Sequence, residues 1–344
     1  MRSLLTLPVA LLIAVTSAGL MPVASASAST PDPSIPAAIA REYEGAGLRI
    51  RRDLGGTSDY TRHAISYESD GLTITGIMNR PRGKGPFPVV VLAHGYIEPS
   101  AYWSGQGFRR EQDWLARNGY VALHVDYRNH AGSDDDPAND LVLRLGYAAD
   151  VINAGLAVRA SRLPFIDSRR VAVLGRSMGG GVAFQALVIR PGVFDAAITY
   201  ASTSTDAGDN FNRWQRFNGS LGQQIIRQYG SPEVNPVFWR TMSSRTFFSR
   251  VTEPVLMIHG TEDESCDIAW ARATERALEA AGKDVTLVEY RGGGALPVRA
   301  VGGLDPSGRV VPGRAPGPVA IAPGLPGLGL IIHRAIGGGW GKNE

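Results

Sequence analysis

Gly175-Arg176-Ser177-Met178-Gly179 constrains the fold of this chain more than any other stretch, because of what flanks it. Val171-Ala172-Val173-Leu174 precedes it, a short β-branched apolar run of the kind that forms a buried strand. Residues 180–187 follow, small ones first, and read as the start of a helix. A strand, a sharp turn and a helix are the setting of a nucleophile elbow. The turn puts Ser177 in a strained conformation, and the flanking glycines remove side chains that would collide there. The expected result is a hydroxyl presented at the carboxyl end of a sheet, near the positive end of a helix. A plain structural turn is the rival reading of the same pentapeptide.

The rest of the chain supplies the sheet. Alternation over residues 61–68 and 72–79 predicts a hairpin turning at Ser69-Asp70-Gly71. Apolar runs predict strands over 89–93, 120–125, 196–200, 254–258 and 286–290, and helical spacing predicts helices over 108–118, 141–159 and 268–281. Strands alternating with helices imply an α/β fold, a mostly parallel doubly wound sheet with helices on both faces and loops of function at the strand ends. Residues 202–250 interrupt the alternation. They contain Asn210-Phe211-Asn212-Arg213-Trp214 and Val237-Phe238-Trp239-Arg240, and read either as a helical lid shaping a pocket or as a packing excursion.

At 344 residues and 44% hydrophobic, the chain is long enough for one sizeable core, placed at residues 60–290. Residues 1–26 read as a signal peptide: Arg2, an apolar run over 4–15, then Ala24-Ser25-Ala26. Cleavage after Ala26 or Ala28 would leave a secreted protein with no stable membrane anchor, and an uncleaved anchor is the alternative. Residues 27–59 read as an N-terminal extension. Cys266 is the only cysteine, so no intrachain disulfide is possible, and it reads as a small buried hydrophobe. The net charge of +3 suggests an anionic partner until it is located. Residues 291–344 carry six Lys and Arg against two Asp and Glu, and the remainder carries 29 against 30, which gives no nucleic-acid footprint.

Serine attack on a carbonyl needs an oxyanion hole, a base and an acid that orients the base. His94-Gly95-Tyr96 ends one strand, so the Tyr96 N–H is one candidate oxyanion donor and the Met178 N–H the other. His94 reads as a brace for that loop. The run from Pro254 to Ser265 is a strand leading to a loop with Asp263 at its tip, and Asp263 is the candidate acid; Glu262 and Glu264 are its neighbours. Asp134-Asp135-Asp136 has no partner cluster for a metal and reads as a loop or helix cap. No motif implies a cofactor.

These motifs, with Asp126-Tyr127-Arg128, Gly132-Ser133-Asp134 and His259-Gly260-Thr261-Glu262-Asp263, resemble the α/β-hydrolase superfamily over roughly residues 60 to 290. The nearest resemblance is to prolyl oligopeptidase-like catalytic domains and dienelactone-hydrolase-like esterases. It implies a serine hydrolase acting through an acyl-enzyme. Peptidases of that family usually carry a large propeller ahead of the catalytic domain, and residues 1–59 are too few for one. Small esters, amides or short peptides are therefore the expected substrates.

The chain departs from the resemblance at the base. Relatives carry a histidine shortly after the last strand; here Arg291-Gly292-Gly293-Gly294-Ala295 follows it, and no histidine occurs between His259 and His333. Residues 291–344 hold 15 Gly and 7 Pro without helical or strand period, a composition expected to be disordered. A reading-frame shift in a GC-rich gene would account for the abrupt change: Gly292–Leu296 codons read one base later permit His where Ala295 stands. The weaker alternative makes His333 the base. Two functional classes follow, an active serine hydrolase and a catalytically impaired or non-catalytic binding protein that keeps the fold.

Overall fold

The computed structural model describes residues 32–294. Among them one mixed sheet carries nine strands in the order β1-β2-β3-β5-β4-β6-β7-β8-β9. β1 (Ala46–Gly56), β2 (Tyr60–Ser69) and β3 (Leu72–Pro81) form an antiparallel edge that joins β5 (Val121–Val125). From β5 onward the pairing is parallel, through β4 (Phe87–Ala93), β6 (Ile166–Arg176), β7 (Ala196–Tyr200), β8 (Val255–Gly260) and β9 (Val285–Tyr290). The parallel centre explains its own composition. Val89, Val90, Val91, Val171, Ala172 and Val173 are fully buried, as strands covered on both faces must be.

One face packs on α3 (Leu145–Arg159) and α4 (Met178–Ile189), where Val151, Ile152, Phe184 and Leu187 are fully buried. The other face holds a separate cluster including Leu92, Phe108, Leu115 and Ile198, to which α2 (Arg109–Arg117) contributes. Successive parallel strands leave β4 in opposite directions, to β5 on one side and β6 on the other. Ligand crevices of open α/β sheets form outside the carboxyl ends at such a reversal. Ala93 pairs with Gly175 there, so the loops after β4 and β6 emerge side by side.

The doubly wound α/β class is as the sequence predicts, and residues 202–250 form helical segments between β7 and β8. Boundaries differ in instructive places. Residues 27–59 are not wholly an extension: Ile35 and Ala38 of α1 (Ile35–Ile39) enter the core and β1 pairs with β2. β1 is exposed along almost its whole length, so it lacks the alternation that marks a half-buried strand. The helix predicted from 141 begins at Leu145, because Leu143 and Arg144 both take left-handed conformations, φ 52° and 63°. The signal segment and most of the Gly/Pro-rich tail lie outside the described residues. No helix among the described residues is long and apolar enough to cross a membrane.

Candidate active site

Ser177 stands between β6 and α4 with φ 53° and ψ −122°, a left-handed conformation that favours glycine. Tight packing enforces the turn. A Cβ on Gly179 would overlap the Ala93 carbonyl, and one on Gly95 would lie 3.2 Å from the Ser177 Cβ. The Ser177 N–H donates to the Tyr200 carbonyl at 3.0 Å, which ties the elbow to the neighbouring strand.

Both predicted oxyanion donors belong to residues that line the same cavity as Ser177. Met178 is the first residue of α4, where an N–H has no acceptor within the helix. Tyr96 follows β4 beside Gly95. Neither amide donates to an acceptor among the described residues. His94 braces the loop, as its sequence context predicts. Its Nδ1 lies 2.6 Å from the Gly95 carbonyl oxygen and its Nε2 3.3 Å from the Asp126 carbonyl oxygen, and the much shorter contact places the neutral ring's one proton on Nδ1. The Gly95 carbonyl belongs to the same peptide as the Tyr96 N–H, so the hydrogen bond fixes the amide's direction. Tyr127 donates to the His94 carbonyl at 3.1 Å, and the His94 ring stacks 4.7 Å from Tyr102. Burial pushes the His94 pKa down to about 4, against the Gly95 hydrogen bond, and keeps the ring neutral.

Asp263 is buried after β8. Its Oδ1 accepts from the amides of Ser265 at 2.9 Å and Cys266 at 2.8 Å, while Oδ2 has no hydrogen-bond partner among the described residues. His259 Nε2 comes to 3.6 Å of Oδ2 but donates to the Cys266 carbonyl at 2.7 Å. Cys266 links acid to serine: its sulfur is 3.9 Å from Ser177 Oγ. The sequence reading of a buried small hydrophobe holds for its burial and misses this position. Burial, then the charge of Asp263, pushes its thiol up to about 11, so it is no nucleophile at neutral pH. Ala295 and His333, the vacant and the substitute positions for a base, lie outside the described residues. Among the described residues no histidine is hydrogen-bonded to Ser177.

A cavity of about 630 Å³ opens on Ser177. The insertion forms much of its wall: Asn210, Trp214, Gln215 and Asn218 line it, beside α5 (Ala207–Asn210) and the π-helical turn that follows. The two segments singled out in the sequence divide the work. Asn210 and Trp214 of the first line the cavity, and in the second Trp239 is buried against Phe211 with its indole N–H donating to the Gly230 carbonyl. The acidic triplet is no helix cap. Asp136 pairs with Arg128 at 2.9 Å and Asp134 accepts from the Thr73 amide at 2.7 Å.

The sequence profile of the prolyl oligopeptidase family matches residues 106–294. An uncharacterized peptidase of Bacillus subtilis is 26% identical over 235 residues, covering 64% of this chain and 33% of its own length. Human dipeptidyl peptidase 8 is 28% identical over 251 residues, 69% of this chain and 26% of its own. This chain thus spans a third or less of these relatives. Among solved structures, an acetyl xylan esterase from Paenibacillus sp. R4 superposes with TM-score 0.58 at 21% identity, over 77% of this chain and 87% of its own, a likeness of fold.

Proposed function

We propose that this chain, which belongs to the prolyl oligopeptidase family, is an exported serine hydrolase of esters, amides or short peptides. The carrying observation is Ser177 in a strained elbow lining a cavity that Tyr96 and Met178 also line, neither of whose amides donates to an acceptor among the described residues. In this reading Ser177 Oγ attacks the substrate carbonyl while a base takes its proton. The Tyr96 and Met178 amides hold the oxyanion, and collapse expels the alcohol or amine. Water then hydrolyses the acyl-enzyme by the same route. Asp263 Oδ2, buried and without a hydrogen-bond partner among the described residues, is the acceptor a base would use for orientation. Export rests on Arg2, the apolar run and the Ala24-Ser25-Ala26 site.

The base decides between this and the second reading, a protein that keeps the fold and the cavity but turns over slowly or not at all. The observation favouring the second is the absence of any histidine between His259 and His333. A fluorophosphonate probe tests the nucleophile: labelling of the full chain, lost in Ser177→Ala, supports the hydrolase, and an unlabelled but folded chain supports the second reading. His333→Ala then identifies the base, since it abolishes labelling only if His333 supplies it. Resequencing around codon 291 shows whether the frame shift is real.

A further inference from the structure

Arg144 lines the cavity and pairs with Asp140 through Nε, while its Nη groups have no carboxylate partner among the described residues. Leu143 and Arg144, both with positive φ, make the strained turn that begins α3, and the Arg144 side chain lines the cavity. The guanidinium carbon lies 4.5 Å from the centre of the Tyr96 ring, and Nη1 lies 3.8 Å from the Met178 sulfur. It therefore touches the side chains of Tyr96 and Met178, the two predicted oxyanion donors. Asp140 engages only Nε, at 2.6 Å, and leaves the Nη groups with donors to spare, Nη2 having no partner among the described residues. The other lining arginine, Arg176, stacks its guanidinium 5.5 Å from the Phe108 ring on the opposite face of the sheet. No Asp or Glu among the described residues lines the cavity, and Glu98 is engaged by the Tyr96 hydroxyl at 2.6 Å.

A guanidinium beside a reacting carbonyl, in a cavity wall without carboxylates, matches one substrate feature: an anionic group a few bonds from the scissile bond. We propose that Arg144 is a specificity-determining residue that selects esters or amides bearing a carboxylate. This rests on the serine-hydrolase reading above.

The test compares 4-nitrophenyl hemiglutarate with 4-nitrophenyl valerate, which share chain length and differ in the terminal carboxylate. Charge-assisted hydrogen bonding gives an expected preference of about tenfold in kcat/KM for the anionic ester. In Arg144→Met, which keeps the stem and loses the charge, the ratio falls to about one, and Arg144→Lys keeps part of it. Thermal unfolding confirms that both variants are folded. A wild-type ratio near one, or the same ratio in wild type and Arg144→Met, overturns the proposal and leaves the hydrolase reading standing. If neither ester turns over, binding of glutarate against glutaramide by calorimetry decides. Glutarate binding that Arg144→Met loses supports the subsite while the hydrolase reading fails; no such binding sinks both.

Discussion

His259 Nε2 stops 3.6 Å short of Asp263 Oδ2 and gives its hydrogen bond to the Cys266 carbonyl instead. Asp263 Oδ2, a buried carboxylate oxygen, is thereby left without a hydrogen bond among the described residues. Such a vacancy carries a desolvation cost that a purely structural aspartate would avoid. Asp263→Asn is expected to keep the fold within about 1 kcal/mol, because Oδ1 retains both amide hydrogen bonds. Ester hydrolysis should fall about 10²–10⁴-fold, as when an orienting acid is neutralised. Equal turnover in the two proteins would remove Asp263 from the reaction.

Ser177 itself stores strain. Its φ of 53° with ψ −122° suits glycine, and Ser177→Gly should raise stability by about 1 kcal/mol while abolishing fluorophosphonate labelling. Denaturant unfolding of the two proteins measures the difference. A less stable glycine variant would mean that contacts of the hydroxyl outweigh the strain.

Gly95 is confined by the same turn. A methyl group there meets the Ser177 Cβ at 3.2 Å and the Arg176 carbonyl oxygen at 3.4 Å. Gly95→Ala should cost about 1 kcal/mol of stability. It should slow labelling of Ser177 by about tenfold, since shifts well below an ångström move the Tyr96 amide. Labelling at the wild-type rate would show that the loop gives way without disturbing the donors.

How much of this was legible in the sequence follows from burial. The strand before Ser177 announces itself because Val171 and Val173 are buried on both sides, and the elbow because Gly179 packs on the Ala93 carbonyl. β1 escapes notice because its side chains face water and impose no period. Arg144 escapes because nothing in Leu143-Arg144 signals two consecutive left-handed residues, a conformation that tertiary contacts impose against local preference. The closeness of Cys266 to Ser177 is a property of where two distant loops meet, which no local pattern carries.

His94 makes stability depend on pH. Burial lowers its pKa to about 4, against about 6.5 in an unfolded chain. Between these values the unfolded state binds the extra proton, so its stabilising contribution is full above about 6.5 and is lost as pH falls towards 4. At pH 5 the loss from this ring is about 2 kcal/mol. Buried His124, also shifted down by burial, adds to it with the same sign. Denaturant unfolding at pH 7 and pH 5 should show the drop in the wild type and a smaller drop in His94→Gln. Equal drops would place the acid sensitivity elsewhere.

Arg128 anchors the loop after β5 from inside the protein. It donates from Nη2 to Asp150 at 2.8 Å and from Nη1 to Asp136 at 2.9 Å, and Nη2 also reaches Asp70 at 3.2 Å. Asp150 is fully buried and also accepts from the Arg128 amide and from Ser69. Removing the cation leaves that carboxylate without its counter-charge, so Arg128→Met should cost about 3–5 kcal/mol. Replacing both partners, Arg128→Met with Asp150→Leu, should recover part of the loss, because no buried charge is then left alone. Denaturant unfolding of the single and double variants checks both statements. A single variant as stable as the wild type would show that water reaches Asp150 and that the Arg128–Asp150 pair is dispensable for the fold.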